Sequence, residues 1–333
     1  MYKPANQMLR LLIGNVMDGI LIIDKPAGMT SHDVVNRVRK ILKEKRIGHT
    51  GTLDPFATGV LVLMVGRATR LAQFLNSDVK EYEATVRFGF ETDTGDLTGN
   101  RQSAVGSRQL AVGSQQSAVG SFSDKEIEDA LSKLRGEILQ VPPMYSAKKV
   151  QGKKLYELAR EGKAVERKAV PVVIYEFVAI EKDGRLLFEN EDGTIDMNVR
   201  VKCSAGTYIR VLAESLGENL GIGAHIASLR RISAGEFGIE KSVTLEGLQK
   251  AVDGQRIDEI LRPMKTALSK LDSLHLTPAD AKRVCNGVAL KIENVNWRED
   301  EAVSLFDEND SLIAIARYDE ETKRLKPCVV LVI

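Results

Sequence analysis

The first clear pattern in the chain is the apolar block Gly19-Ile-Leu-Ile-Ile-Asp24, which reads as a strand and runs into a turn at Lys25-Pro26-Ala27-Gly28. Apolar positions then change to a helical period. With Ser31 as N-cap, Val34, Val35, Val38, Ile41 and Leu42 share one face. A glycine-rich loop follows from Gly48 to Gly59, and GVLVLMVG (59–66) predicts a strand covered on both faces. After a short helix, Tyr82, Ala84, Val86 and Phe88 alternate with polar residues, as in a strand with one covered face. The start of the chain therefore reads as a mixed α/β sheet.

Periodicity lapses at residues 102–122, where QSAVGSR, QLAVGSQ and QSAVGSF form three tandem heptads. A coiled coil needs paired large apolar positions, and these copies offer one Val and several small residues each, with Gly in every one. A flexible surface loop is expected. Ser123-Asp-Lys-Glu126 is a capping box opening a helix to about Arg135. A Pro-Pro loop, a helix at Lys153–Arg160, strands at 170–182 and 194–203 and a helix from about Thr207 continue the alternation. Arg262-Pro263 breaks the helical pattern and suggests a boundary, giving a first domain over 17–262 and a small β-rich domain over 263–333 with one helix capped at Thr277-Pro278.

Length and composition narrow the classes. The 333 residues exceed one ordinary core, and 43% hydrophobic with 28% charged residues is the balance of a soluble globular protein. No apolar run approaches a membrane span. Residues 1–16 lack the core and cleavage site of an export signal, and Met17 is expected to be the natural start, with a dispensable extension before it. Cys203, Cys285 and Cys328 form no CxxC pair, and His32, His49, His225 and His275 have no ligand spacing. No P-loop occurs. The expectation is a cytoplasmic protein without metal or cofactor.

A net charge of +1 means that any polyanionic partner must be met by a local patch, and the charge is unevenly distributed. Residues 36–50 carry +5, residues 135–168 carry +5, and residues 290–333 carry −4. Either patch alone could be a solvated helix face; the two together favour contacts to a phosphate backbone. The Gly48–Gly59 loop packs three glycines around Asp54, although an Asx turn is the plainer reading of an isolated Asp-Pro. Tyr82, Tyr145, Tyr156 and Tyr208 lie in or beside polar, basic segments, where they could stack on unpaired bases or simply pack.

Five segments in order, Gly19–Met29, Gly48–Gly59, Lys80-Glu-Tyr82, Tyr145-Ser-Ala-Lys148 and Gly206-Thr-Tyr-Ile-Arg210, resemble the TruB-type tRNA pseudouridine synthases. The resemblance runs from about Met17 to the C-terminus, with the triplicated segment outside it. It implies a pseudouridine synthase fold, α/β (α+β) with a central mixed sheet flanked by helices, plus a C-terminal PUA-like β-barrel RNA-binding domain. It implies isomerisation of uridine 55 in the tRNA T-loop, with Asp54 as nucleophile and Arg210 as its partner. Tyr82 would stack on the flipped uracil and shuttle a proton. Tyr208 would be a second pocket aromatic, and His49 would hold the T-loop. Lys25 and Pro26 would shape the pocket floor. Lys148, Lys149, Lys153 and Lys154 would touch RNA from a thumb over about 135–168. Asp96 matches a further family position, with a turn or N-cap as its alternative. The implied partner of this expected monomer is the tRNA T-arm. A synthase directed by guide RNA and a tRNA-folding chaperone are the rival readings.

Overall fold

The computed structural model describes residues 17–75, 79–102, 122–146, 148–150, 152–163, 165–293 and 295–331. The expected N-terminal extension and residues 103–121 of the triplicated segment lie outside the described residues.

Strand β1 (Gly19–Lys25) leads into helix α1 (Ser31–Leu42), then β2 (Ile47–Thr50) and β3 (Thr58–Val65). A 3-10 turn and the short α2 (Ala72–Leu75) precede β4 (Lys80–Phe88). Next come α3 (Asp124–Ser132), β5 (Gly136–Gln140), the two-residue strands β6 (Lys149–Val150) and β7 (Lys153–Lys154), and α4 (Leu155–Arg160). Strands β8 (Val170–Ala179), β9 (Leu187–Glu189) and β10 (Ile195–Cys203) lead to α5 (Ile209–Leu220), β11 (Ala224–Ala234) and β12 (Phe237–Gly238). Helices α6 (Leu245–Asp253) and α7 (Ile257–Ile260) follow.

One ten-stranded sheet runs β1-β3-β11-β4-β10-β8-β5, with β2 on β3, β9 on β10 and β12 on β11. Its pairs are antiparallel except β11 with β3, so the sheet is mixed. Burial explains the two strand patterns. Leu21, Ile23, Leu61 and Leu63 pack under α1 and α6, while Ile20, Ile22, Val60 and Val62 pack against C-terminal Phe306, Leu312 and Ile315. Strands β1 and β3 are covered on both faces and must be apolar throughout. Strand β4 buries alternate residues from Lys80 to Phe88, and Tyr82, Val86 and Phe88 join the core that holds α3 and α5.

The C-terminal part is a five-stranded sheet, ordered β13 (Asp272–His275), β15 (Ala302–Phe306), β16 (Leu312–Asp319), β17 (Arg324–Val330) and β14 (Leu290–Lys291), with α8 (Pro278–Cys285) capped by Thr277. Arg67 and Arg70 donate to the carbonyls of Leu331 and Val330, tying its last strand to the main body. Arg262 pairs with Ile20 of β1 through both backbone bonds.

Several boundaries differ from the sequence expectation. The N-cap of α1 is Thr30, in a capping box with Asp33, because the Ser31 hydroxyl is turned inward. The predicted Gly48–Gly59 loop opens as β2, and the helix expected to reach Arg135 ends at Ser132. The helix expected from Thr207 starts at Ile209, with Tyr208 as N-cap.

Candidate active site

The chain from Gly51 to Thr58 is held from beneath. Ser31 Oγ donates to Leu53 O and accepts from Leu53 N at 2.9 Å. Lys25 is wholly buried, and its ammonium donates to Pro26 O at 2.9 Å, Pro55 O at 3.1 Å and Ala57 O at 2.6 Å. Burial lowers the Lys25 pKa to about 8, against the opposing pull of Asp54. Gly59 has φ +100, and a Cβ there would stand 2.2 Å from Arg231 O of β11. Only glycine lets β11 lie this close to the end of the loop. The tethered backbone leaves Asp54 facing the open side with its side chain 32% exposed.

Opposite stands Arg210, in the first turn of α5. Tyr208 N donates to Gln140 Oε1 at 2.8 Å, and Gln140 Nε2 donates to Tyr208 O at 3.0 Å, which fixes the helix start. Arg210 Nε is 2.9 Å from Asp54 Oδ2, and Nη2 is 3.4 Å from Oδ1. Its other bonds go to Thr94 O at 2.5 Å and Tyr145 O at 2.7 Å. The guanidinium is thus oriented by two backbone carbonyls before it meets the carboxylate. Asp96 is 3.7 Å from Arg210 Nη1 but spends its Oδ1 on Thr94 and Thr98, so it organises the turn that carries Thr94.

Burial pushes the Asp54 pKa up, Arg210 opposes this, Asp96 adds to the rise, and the net direction is upward. Burial raises Tyr82 as well, with Arg231 opposing. Glu214, one turn beyond Arg210 on α5, is raised by burial to about 7.

Asp54, Tyr82, Tyr208 and Arg210 line one cavity of about 300 Å³. Lys80, Ser146, Leu229 and Arg231 share its wall, as do residues 205–207. None of these four had a role in the sequence reading. Lys80 and Ser146 stand inside the quoted motifs, whereas Leu229 and Arg231 lie in β11, where no motif marked them. Lys25, Pro26, His49, Lys148 and Lys153 are not among the residues that line the cavity. Lys25 supports the loop, Pro26 is exposed on the turn beside it, and His49 pairs with Leu63 in the β2–β3 ladder. Lys148 O accepts from Leu155 N, Lys149 and Lys154 pair in the β6–β7 hairpin, and exposed Lys153 is 3.9 Å from Glu161. The basic end of α1 is separate, with Arg39, Lys40, Lys43 and Lys45 lining an open groove. Among the described residues no group of His, Cys, Asp and Glu is arranged to hold a metal ion, and no helix is long and apolar enough to cross a membrane.

Residues 39–209 match the model of the TruB family pseudouridylate synthase N-terminal domain. A tRNA pseudouridine synthase B of Bacillus thuringiensis (strain Al Hakam) is 44% identical over 319 residues, spanning 95% of this chain and 98% of the relative. The chain belongs to the TruB family. A second TruB relative, from Solibacter usitatus, is 43% identical over 271 residues, 81% of this chain and 85% of its own. Residues 210–269 match the tRNA pseudouridylate synthase B C-terminal domain. That border at 209/210 falls at the start of α5, while β11 beyond it lies inside the ten-stranded sheet, so the two TruB segments share one fold. Among solved structures, a Cbf5-Nop10-Gar1 complex superposes with TM-score 0.69 at 27% identity over 94% of this chain and 85% of the other. An archaeal box H/ACA sRNP Nop10-Cbf5 complex gives 0.66 at 25% identity, over 95% and 87%.

Proposed function

We propose that this TruB-family chain isomerises uridine 55 in the T-loop of tRNA to pseudouridine, with Asp54 as the nucleophile. The observation that carries the reading is the Asp54–Arg210 pair, 2.9 Å apart at the wall of a cavity that also presents Tyr82. The reaction breaks the bond between N1 and the ribose, turns the base and rejoins it through C5. No atom is gained or lost, so the chemistry asks for a nucleophile, a held ring and exclusion of bulk water. Burial favours neutral Asp54 and Arg210 favours the carboxylate; the guanidinium therefore makes an attacking anion available in a site that would otherwise suppress it.

The uridine must first leave its stack, at a cost of a few kcal/mol. Tyr82 and Tyr208 supply stacking surface, and His49 holds the T-loop beside the loop that carries Asp54. Lys25 and Pro26 act on the substrate through the shape of that loop. Lys148, Lys149, Lys153 and Lys154 belong to a thumb over 135–168 that meets phosphates, and the C-terminal sheet acts as a PUA-like RNA-binding domain. The enzyme works as a cytoplasmic monomer and recognises the shape of the T-arm without a guide RNA.

Incubating the purified chain alone with unmodified tRNA transcripts, followed by mass spectrometry of the nucleosides, tests this. Pseudouridine at position 55 is expected without any added factor. Conversion only after a guide RNA and partner proteins are supplied would replace the stand-alone reading with the guided one.

A further inference from the structure

Arg231 has no accessible surface and takes no part in the chemistry assigned to Asp54. It leaves β11 directly opposite Tyr82 on β4, so the two side chains are cross-strand neighbours on one face of the sheet. Nε donates to Val60 O at 2.7 Å and Nη2 to Gly51 O at 3.0 Å. Nη1 has no hydrogen-bond partner among the described residues. An unmet donor on a buried cation is costly, and a fold tolerates it where the donor has work to do.

The position of Nη1 is informative. It lies 3.4 Å from where a Cβ on Gly51 would stand, in the wall of the cavity shared by Asp54 and Tyr82. Burial pushes the Tyr82 phenol up, and the charge of Arg231 is the largest effect pulling it back.

Resting on the function proposed for this cavity, we propose that Arg231 is a positioning residue for Tyr82, giving its unspent Nη1–H to the phenolic oxygen. A guanidinium has donors only, so the phenol can accept from it but cannot donate to it. The Tyr82 O–H is thereby directed at the base. As the Asp54 carboxylate bonds C1′, heterolysis of N1–C1′ leaves the bonding pair on the base, and that anion forms the C5–C1′ bond with a pair from the ring as the C1′–Asp54 bond breaks and returns its pair to the carboxylate. C5 must then lose a proton, its C–H pair restoring C5=C6 as the N1=C6 pair moves to N1, and N1 must gain a proton. Tyr82 gives its O–H proton to N1 and takes the C5 proton, which leaves the phenol as it began.

A double-mutant cycle tests the coupling. Single-turnover release of tritium from tRNA carrying [5-³H]uridine is measured for Arg231→Gln, Tyr82→Phe and the pair, alongside tRNA affinity. Arg231→Gln is expected to slow release roughly 10- to 100-fold, a general acid–base effect, with affinity within about threefold. It should slow it no further in the Tyr82→Phe background. Arg231→Lys should recover part of the rate only where Tyr82 is intact. Wild-type release by Arg231→Gln, or losses that multiply in the double variant, would overturn the proposal. Should Arg231→Gln not fold, Arg231→Lys enters the same cycle. If Tyr82→Phe is too slow to read, ultraviolet titration of the phenol decides: Arg231→Gln should move the Tyr82 midpoint up, and an unmoved midpoint overturns the proposal. Asp54→Asn run in parallel separates the two claims, since its retained turnover would remove the nucleophile while leaving the Arg231–Tyr82 coupling as its own result.

Discussion

Glu214 shares the buried side of α5 with Arg210, and burial holds its carboxyl up to about 7. The folded state therefore keeps a proton that the unfolded chain gives up near 4.5. Its contribution to stability is present below the unfolded value and is lost as pH rises through 7. Glu214→Gln, neutral at every pH, is expected to be more stable than the parent at pH 8 by on the order of 1–3 kcal/mol. The difference should vanish toward pH 4.5, which thermal unfolding at the two pH values checks. Lys25 gives the opposite sign of substitution effect. Lys25→Met leaves the carbonyls of Pro26, Pro55 and Ala57 without their donor and should cost roughly 1–3 kcal/mol or more in chemical denaturation. At this scale the sequence was legible for Asp54, Tyr82, Tyr208 and Arg210, because each stands in a motif. Arg231 was hidden, since a buried, half-satisfied guanidinium looks in sequence like any surface arginine.

At the scale of elements, the position of Asp54 depends on the approach of β11 to the end of its loop. Gly59→Ala would drive a Cβ into Arg231 backbone at 2.2 Å, with φ +100 adding strain. The atoms it meets, Arg231 O, N and C, are all backbone, so several kcal/mol of destabilisation or failure to fold is expected. Gly28 has φ +81 but nothing within 4 Å, and Gly28→Ala should cost only about 1–2 kcal/mol. Comparing the two by denaturant unfolding separates close packing from backbone preference. Strands β1, β3 and β4 could be read directly, because full or alternating burial imposes a full or alternating apolar pattern. Strand β11 could not. Register shifts at Ile226/Ser228 and Arg231/Ser233 break its period of two, and its inward Arg231 inverts the expected polarity.

Across the whole molecule, the C-terminal sheet is part of the scaffold of the site. Phe306, Leu312, Ile315 and Val329 cover the face of β1 and β3 formed by Ile20, Ile22, Val60 and Met64. A chain ending at residue 271 would uncover that face, and it is expected to aggregate and to melt well below the full protein, as light scattering and calorimetry would show. Which apolar face meets which is a long-range fact that local periodicity does not carry. The central claim concerns one carboxylate in this assembly. Asp54→Asn keeps the size and polarity of the side chain while removing the nucleophile, so the decisive measurement is pseudouridine formed at position 55 by this variant, with tRNA affinity measured on the same sample. The expected result is no detectable pseudouridine and affinity within several-fold of the parent. Normal turnover by Asp54→Asn would contradict the account.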